Sequence, residues 1–509
     1  MGKRKGKPSA RNNRIRQDWP ALVLLCIASA LILANLGNQY LWQDEAQTAL
    51  VSKTVLTHGI PLGYDGKNYF SQEFGLEYGK NYIWKWHTWL QFYVLAAFFA
   101  VFGVSTFVAR LPFALFGIAT ILLTYTVAKS LWKSRRVGVT AAVLLLTSVP
   151  FLILVRQCRY YSPSAFFSLL ALYCYVKILE RKRYAPAAFI ISATLLFHTH
   201  HIYGATLLAT ALVHSMLFRR DRFRSVLYLS VITAVINLPW ILWLSHVSYG
   251  SIYGDLLHGH QAFSFAAHYL AQLAKYVFPP AILLLPVVIW IINRARHAQS
   301  QPLDADMRQK LALLLLFIPI NIVALLFSPL PFFRYLTPLI PVCCMIMALI
   351  LESGMRVHVG IGIAIIAVLV STGHMKDYLY EVTHDYDGPI EGIVKYLNSH
   401  GRPNDIVAIT YGDLPLKFYT KMRVVGGLTG EDLSPAKKAD WVIVRKYIVT
   451  YRLAGVVQYL ENNVPRYKYE EIVIDYPDTA FENRESPEEH RFRTDSLENR
   501  VVIFRRIEN

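Results

Sequence analysis

The stretch WPALVLLCIASALILANL, Trp19 to Leu36, follows a tail carrying Lys3, Arg4, Lys5, Lys7, Arg11, Arg14 and Arg16 and leads into Leu41-Trp42-Gln43-Asp44-Glu45-Ala46. An apolar run of that length behind a basic tail reads as a membrane-spanning helix with its N-terminus inside. It is too long for the core of a cleaved signal peptide, and the chain beyond it is itself apolar, so a retained signal anchor is expected. Asp44 and Glu45 then stand just outside the bilayer. Two adjacent carboxylates there do nothing to hold a helix in lipid, and ionisable groups at the mouth of a membrane bundle point to function. A solvated loop that begins with acids is the plainer explanation, and the rest of the chain decides between the two.

The 509 residues are 54% hydrophobic and 17% charged, whereas a soluble chain carries about 25% charged residues. The net charge of +18 would suit a nucleic-acid partner. Its excess, however, lies in the N-terminal tail and in short loops between apolar blocks, where membrane topology puts it. The five cysteines (Cys26, Cys158, Cys174, Cys343, Cys344) all lie in or beside apolar blocks, so neither a disulfide framework nor a zinc site is visible.

Apolar blocks of spanning length occupy 19–37, 109–130, 137–155, 162–178, 184–197, 202–218, 223–244, 271–293, 311–328, 333–352 and 357–373. With the N-terminus inside, the basic loops around Lys133 and Arg135, Arg181 to Arg183, Arg219 to Arg224 and Arg294 to Arg308 all fall inside. This holds only if the aromatic-rich block 88–104 does not cross, so that block is expected to lie along the interface and close a first external loop, 38–108. The fold expected is a polytopic α-helical membrane protein of about eleven transmembrane helices with a C-terminal extracytoplasmic α/β domain. Its parts would be a cytoplasmic basic tail (1–18), a transmembrane domain (19–373) and the outer domain (374–509), in the inner (plasma) membrane. In that last part an amphipathic helix is expected at 388–399, with strands at 405–411, 424–425, 441–444, 467–474 and 500–505 and helices at 413–420 and 451–462. Gly426-Gly427 lacks the context of a phosphate-binding glycine loop.

The outer face then collects Asp44, Glu45, Arg156, Arg159, Tyr160, Tyr161, His198, His200, His201, Arg334 and Tyr335. Arginines on that side break the charge rule. Snorkelling to lipid phosphates accounts for a single one, while a shared anion site accounts for three, because a guanidinium fork matches phosphate. Carboxylates and arginines together suit a lipid-linked phosphate whose sugar is attacked by a hydroxyl that an acid residue deprotonates. His198, His200 and His201 have spacing that allows contact with substrate or with a divalent metal, although a polar cap on a short helix explains them as well. Tyr160 and Tyr335 are further substrate-contact candidates, and no metal requirement is fixed by the sequence.

Several of these segments resemble GT-C type membrane glycosyltransferases, which include the protein O-mannosyltransferases and the bacterial transferases that add aminoarabinose to lipid A. The matching stretches are Asp44-Glu45-Ala46 with the helix ending at Gly59-Ile60-Pro61, Phe102-Gly103-Val104 through Ala109-Arg110-Leu111-Pro112 to Gly117, Arg156 to Pro163, Arg334-Tyr335-Leu336-Thr337-Pro338, and Asn404-Asp405-Ile406-Val407 with Phe418-Tyr419. The resemblance implies inverting transfer of a hexose or pentose from a polyprenyl phosphate to a lipid, polysaccharide or protein acceptor outside the membrane. It makes Asp44 the catalytic base and Glu45 its assistant, with Arg156, Arg159, Arg334 and Lys85 facing the donor phosphate. Lys85-Trp86-His87-Thr88 lacks the proline that many relatives carry there, and Tyr161-Ser162-Pro163 lacks the second-loop carboxylate. These departures leave the sugar and acceptor open. A transporter or lipid flippase of envelope precursors is the rival reading. It predicts internal repeats and mid-membrane charges, whereas no repeat is found and the charges sit at the outer rim.

Overall fold

A computed structural model describes residues 10–245, 259–295, 304–328, 330–445, 453–479, 486–494 and 499–507. The chain opens with α1 (Ala10–Leu33), α2 (Gln43–His58), α3 (Leu90–Phe102) and α4 (Thr106–Trp132). There follow α5 (Arg135–Leu146), α6 (Val149–Val155), α7 (Tyr161–Leu179), α8 (Ala185–Thr199), α9 (His201–Phe218) and α10 (Arg220–Ser245). Next come α11 (Gly259–Tyr276), α12 (Leu284–Ala295), α13 (Ala305–Leu325), α14 (Leu339–Val357), α15 (Val359–Thr372) and α16 (Met375–Glu381). Helices α17 (Pro389–His400), α18 (Asp413–Tyr419) and α19 (Ala454–Asn463) alternate with strands β1 (Ile406–Ile409), β2 (Arg423–Gly426), β3 (Trp441–Ile443), β4 (Tyr469–Pro477) and β5 (Arg500–Arg506).

Among the described residues six helices (α4, α7, α9, α10, α13 and α14) are long and apolar enough to cross a membrane, or up to nine if each of three bent pairs counts as one span. The chain is a multi-pass membrane protein. The bends of 68° between α5 and α6, 77° between α11 and the segment leading into α12, and 56° between α15 and α16 have sequence causes. Pro150 stands in the first turn of α6, Pro279-Pro280 interrupts the second pair, and His374 sits at φ 62° between α15 and α16. The stretches 19–33, 90–102 and 185–199 are shorter apolar helices. Long apolar sequences make these helices, and Ser105, whose hydroxyl accepts from the Val108 N–H at 3.2 Å, starts α4.

The strands form one sheet in the order β2-β1-β3-β5-β4. β1 runs parallel to β2 and β3, while β5 is antiparallel to β3 and β4. Ile390, Ile393, Val394 and Leu397 on one face of α17 pack with Val407, Ile409, Val424 and Ile503 of the sheet. The helix face is thus the one its apolar spacing marks.

The 38–108 segment is bound to the sheet layer. Tyr40 donates its backbone N–H to Glu391 at 2.7 Å, and Gln43 donates its amide to Asp413 at 2.7 Å. Asp413 also pairs with Lys417 at 2.8 Å, both fully buried. The backbone turns tightly over this pair: Gly427 sits at φ +64°, and a Cβ there would lie 2.0 Å from the Asp413 carboxylate. Leu41, Ala46, Leu50, Phe92 and Phe113 share a core with Leu414 and Phe418 of α18.

Candidate functional site

Helix α2 begins at Gln43 with no side-chain cap, so Asp44 and Glu45 occupy its first turn, where the helix dipole favours negative charge. One residue apart on a helix, the two point in different directions. Their environments differ accordingly.

Glu45 is fully buried. Arg110, from the second turn of α4, grips it with two parallel bonds, Nε to Oε1 at 2.8 Å and a terminal nitrogen to Oε2 at 2.6 Å. The remaining donors of Arg110 go to the carbonyls of Leu36, Gln39 and Tyr40, so all five N–H groups are used. The Cys158 N–H also donates to Glu45, at 2.7 Å. Arg110 and Glu45 thus pin the end of the 36–40 turn, the start of α2 and the 156–160 loop to one another.

Asp44 lies instead at the edge of a cavity of about 400 Å³ lined also by Gln72, Glu77, His87, Arg159, Tyr160, Phe332, Arg334 and Tyr335. Its side chain is 14% exposed. Arg334 donates to its Oδ2 at 2.9 Å, Arg159 approaches the same oxygen at 3.6 Å, and Gln72 donates to Oδ1 at 3.0 Å. Burial alone would raise the Asp44 pKa, but Arg159, Arg334 and the Gln72 hydrogen bond outweigh it and hold the carboxyl below its usual range. Arg159 is anchored to α2 by bonds to the Asp44 carbonyl at 3.2 Å and the Thr48 hydroxyl at 3.0 Å, and its Nε has no hydrogen-bond partner among the described residues. The Arg334 guanidinium lies 4.1 Å over the Phe332 ring.

The rest of the cavity wall comes from the polar stretch before α3. Glu77 accepts from the Ser71 hydroxyl, from the Gln72 N–H at 2.6 Å and from the Gln47 amide at 3.2 Å. Burial nevertheless pushes its carboxyl up to about 7. Burial, then Arg159, keeps His87 well below its ordinary pKa, so its ring is neutral, and its Nδ1 has no partner among the described residues.

Of the residues the sequence offered, the cavity brings together Asp44, Arg159, Tyr160, Arg334 and Tyr335. Arg156 is elsewhere. It donates to the carbonyls of Ile32 at 2.9 Å and Ala34 at 2.7 Å, closing the C-terminal end of α1 rather than facing Asp44. Lys85 lies beside Gly79 and is absent from the cavity wall. His200 lies tilted against Tyr160 at 4.8 Å and stacks on His201 at 5.4 Å, while His198 meets Trp240 edge-on at 5.2 Å. Among the described residues no group of three or more His, Cys, Asp or Glu side chains is placed to hold a metal ion.

The sequence reading missed four residues. Arg110 carried a signal, since a cation inside an apolar helix needs a partner. His87 lies in the Lys85-Trp86-His87-Thr88 element, which marked the place without a role, and Gln72 and Glu77 carried no signal, because their approach to Asp44 depends on how an irregular loop folds back.

Residues 87–243 match the family described as dolichyl-phosphate-mannose-protein mannosyltransferase. The fold is similar to that of ArnT from Cupriavidus metallidurans bound to undecaprenyl phosphate, with a TM-score of 0.60 and 16% identity over 96% of this chain and 98% of that one. The apo form of the same protein gives a TM-score of 0.59 and 15% identity, again over 96% and 98%. No curated protein matches the sequence. The family match takes in residues 87–243, and the likeness to ArnT is one of fold, along nearly the whole chain.

Proposed function

We propose that this chain is a membrane glycosyltransferase that moves a sugar from a polyprenyl-phosphate donor to an acceptor outside the cytoplasmic membrane, with Asp44 as base. The observation that carries the reading is the Asp44 carboxylate facing a cavity together with Arg159 and Arg334, in a chain with the fold of a protein solved with undecaprenyl phosphate bound. The donor phosphate lies against the two guanidinium groups, whose forks match its oxygens. The acceptor hydroxyl loses its proton to Asp44 as its oxygen bonds the anomeric carbon. The bond from that carbon to the phosphate oxygen breaks, and its electron pair leaves on the polyprenyl phosphate. The configuration inverts, and the arginines stabilise the leaving anion, so no strong general acid is needed. Tyr160 and Tyr335 offer surfaces for the sugar. Glu45 acts through the placement of α2, and Arg156 through the end of α1.

The test is sugar transfer by purified protein supplied with polyprenyl-phosphate sugars and envelope acceptor fractions, alongside mass spectrometry of envelope glycans and lipids from a deletion strain. An envelope unchanged by deletion, together with no transfer in vitro, sinks the reading. Arg159→Lys and Arg334→Lys keep charge but lose the fork, and each is expected to lower turnover on the order of 10²-fold through misplacement of the donor. Arg156→Lys is expected to lower the melting temperature and leave donor affinity unchanged. Normal turnover in both Lys variants at Arg159 and Arg334 argues against the shared phosphate site.

We also propose eleven crossings: the nine spans counted with the bent pairs, together with the shorter apolar helices at 19–33 and 185–199, leaving α3 along the interface. Tail 1–18 is then cytoplasmic, and 374–509, with its sheet, forms an extracytoplasmic domain of a protein in the inner (plasma) membrane. The basic loops fall inside on this count. Reporter fusions after residue 380 are expected to be active only with a reporter that works outside the cytoplasm, and strong activity of a cytoplasmic reporter there overturns the topology.

A further inference from the structure

We propose that the donor phosphate switches Asp44 on: Arg334 holds the Asp44 carboxylate in a latch, and the incoming phosphate takes that arginine away, so the donor must load before Asp44 can accept a proton. The inference rests on the function proposed above and concerns the order of events in the same cavity. Each Asp44 oxygen is occupied in this structure, Oδ1 by Gln72 at 3.0 Å and Oδ2 by Arg334 at 2.9 Å with Arg159 at 3.6 Å. A carboxylate bound in this way is a weak base, because taking a proton means giving up a charge-assisted hydrogen bond. Arg159 and Arg334 are also the cations among the described residues that line the cavity. An anionic donor that takes the fork of Arg334 therefore competes with Asp44 for it.

The two arginines are held differently. Arg159 is fastened to α2 itself through Thr48 and the Asp44 carbonyl, so it stays beside Asp44 whatever enters. Arg334 reaches Asp44 from a separate segment, on the 3-10 turn Phe333–Leu336 ahead of α14, and is the one that transfers. Once it has moved, Asp44 has lost a cation and gained an anion as neighbour, and both changes make it more basic. Gln72 keeps Oδ1 oriented throughout. An acceptor that arrives before the donor meets a carboxylate already engaged, which guards the site against attack by the wrong partner.

The other ionisable groups facing Asp44 are Glu73, Glu77, His87, Tyr160 and Tyr335, and the experiment separates them. The pH dependence of kcat/KM for the donor reports the free enzyme, and that of kcat reports the loaded one. With a latch, the acid limb of kcat lies at higher pH than that of kcat/KM, by about one unit or more, the usual effect of one close charge partner. The gap is expected to persist in Glu73→Gln, Glu77→Gln and His87→Gln. Coincident limbs overturn the latch, as does a gap that vanishes in any of those three variants, which would assign the titration to another group. A protein that transfers sugar with coincident limbs loses only the latch. One that transfers no sugar from any polyprenyl-phosphate donor loses the function proposed above as well.

Discussion

Asp44→Asn is expected to abolish sugar transfer while leaving the protein folded and able to bind a polyprenyl phosphate. Asparagine keeps the size of the side chain and one acceptor oxygen, so it holds one of the bonds from Gln72 and Arg334, which reach different oxygens of Asp44, but it cannot take a proton from the acceptor. A placed general base contributes roughly 10²–10⁴ in rate, so the variant should fall by at least that factor. The side chain lies at the edge of a cavity and is 14% exposed, so the arginines it leaves behind remain within reach of water. Donor binding is expected to hold or tighten, since Arg334 no longer has a carboxylate to leave. The measurement is single-turnover transfer beside binding of undecaprenyl phosphate and a melting curve. Turnover near that of the parent protein removes Asp44 from the mechanism, and so does a variant that is inactive only because it has unfolded.

Arg110→Ala is expected to act in the opposite way, through the fold. It leaves the fully buried Glu45 carboxylate without a counter-charge and orphans the carbonyls of Leu36, Gln39 and Tyr40. Removing one partner of a buried ion pair costs about 3–5 kcal/mol, a large share of the roughly 5–15 kcal/mol that separates folded from unfolded chains. The variant should melt many degrees lower in detergent and lose activity in proportion to the folded fraction. Glu45→Gln, which keeps the shape and one acceptor oxygen, should be milder. A double-mutant cycle of the two positions should show coupling, because the groups touch. Unchanged melting in Arg110→Ala would falsify the account of this pair as the clamp on α2.

The adjacent acids show how far a sequence reaches. Their position after the first apolar block points to this place, and Asp44 does line a cavity, but neighbours in sequence are not neighbours in task. In a helix they face apart, and only the coordinates reveal that Glu45 meets Arg110 while Asp44 meets Arg159 and Arg334. The strands and helices after residue 388 form within a few residues of the stretches marked by apolar spacing, because one face of each packs on a single sheet. The break at Pro279-Pro280 lies inside a block read as one span, since hydropathy counts apolar residues and is blind to direction. Arg156 and Arg159, three residues apart, look in the sequence like parts of one phosphate site. The turn between α6 and α7 sends Arg156 to the end of α1 and leaves Arg159 beside Asp44.

The bond between Gln43 and Asp413 also sets a timetable for synthesis. The helix that carries Asp44 is among the first parts of the chain to be made, yet its contacts with α18 wait for residues translated far later. At about 5–20 residues per second, the separation of 370 residues between those partners amounts to a delay on the order of 20 to 70 seconds. Throughout that interval the apolar face shared by Leu41, Ala46 and Leu50 lacks Leu414 and Phe418, and is open to whatever chaperone or membrane surface lies nearby. A ribosome that stops short of α18 therefore releases a chain in which the core around α2 is incomplete, although Gln72, Arg159 and Arg334, the partners of Asp44, have already been made.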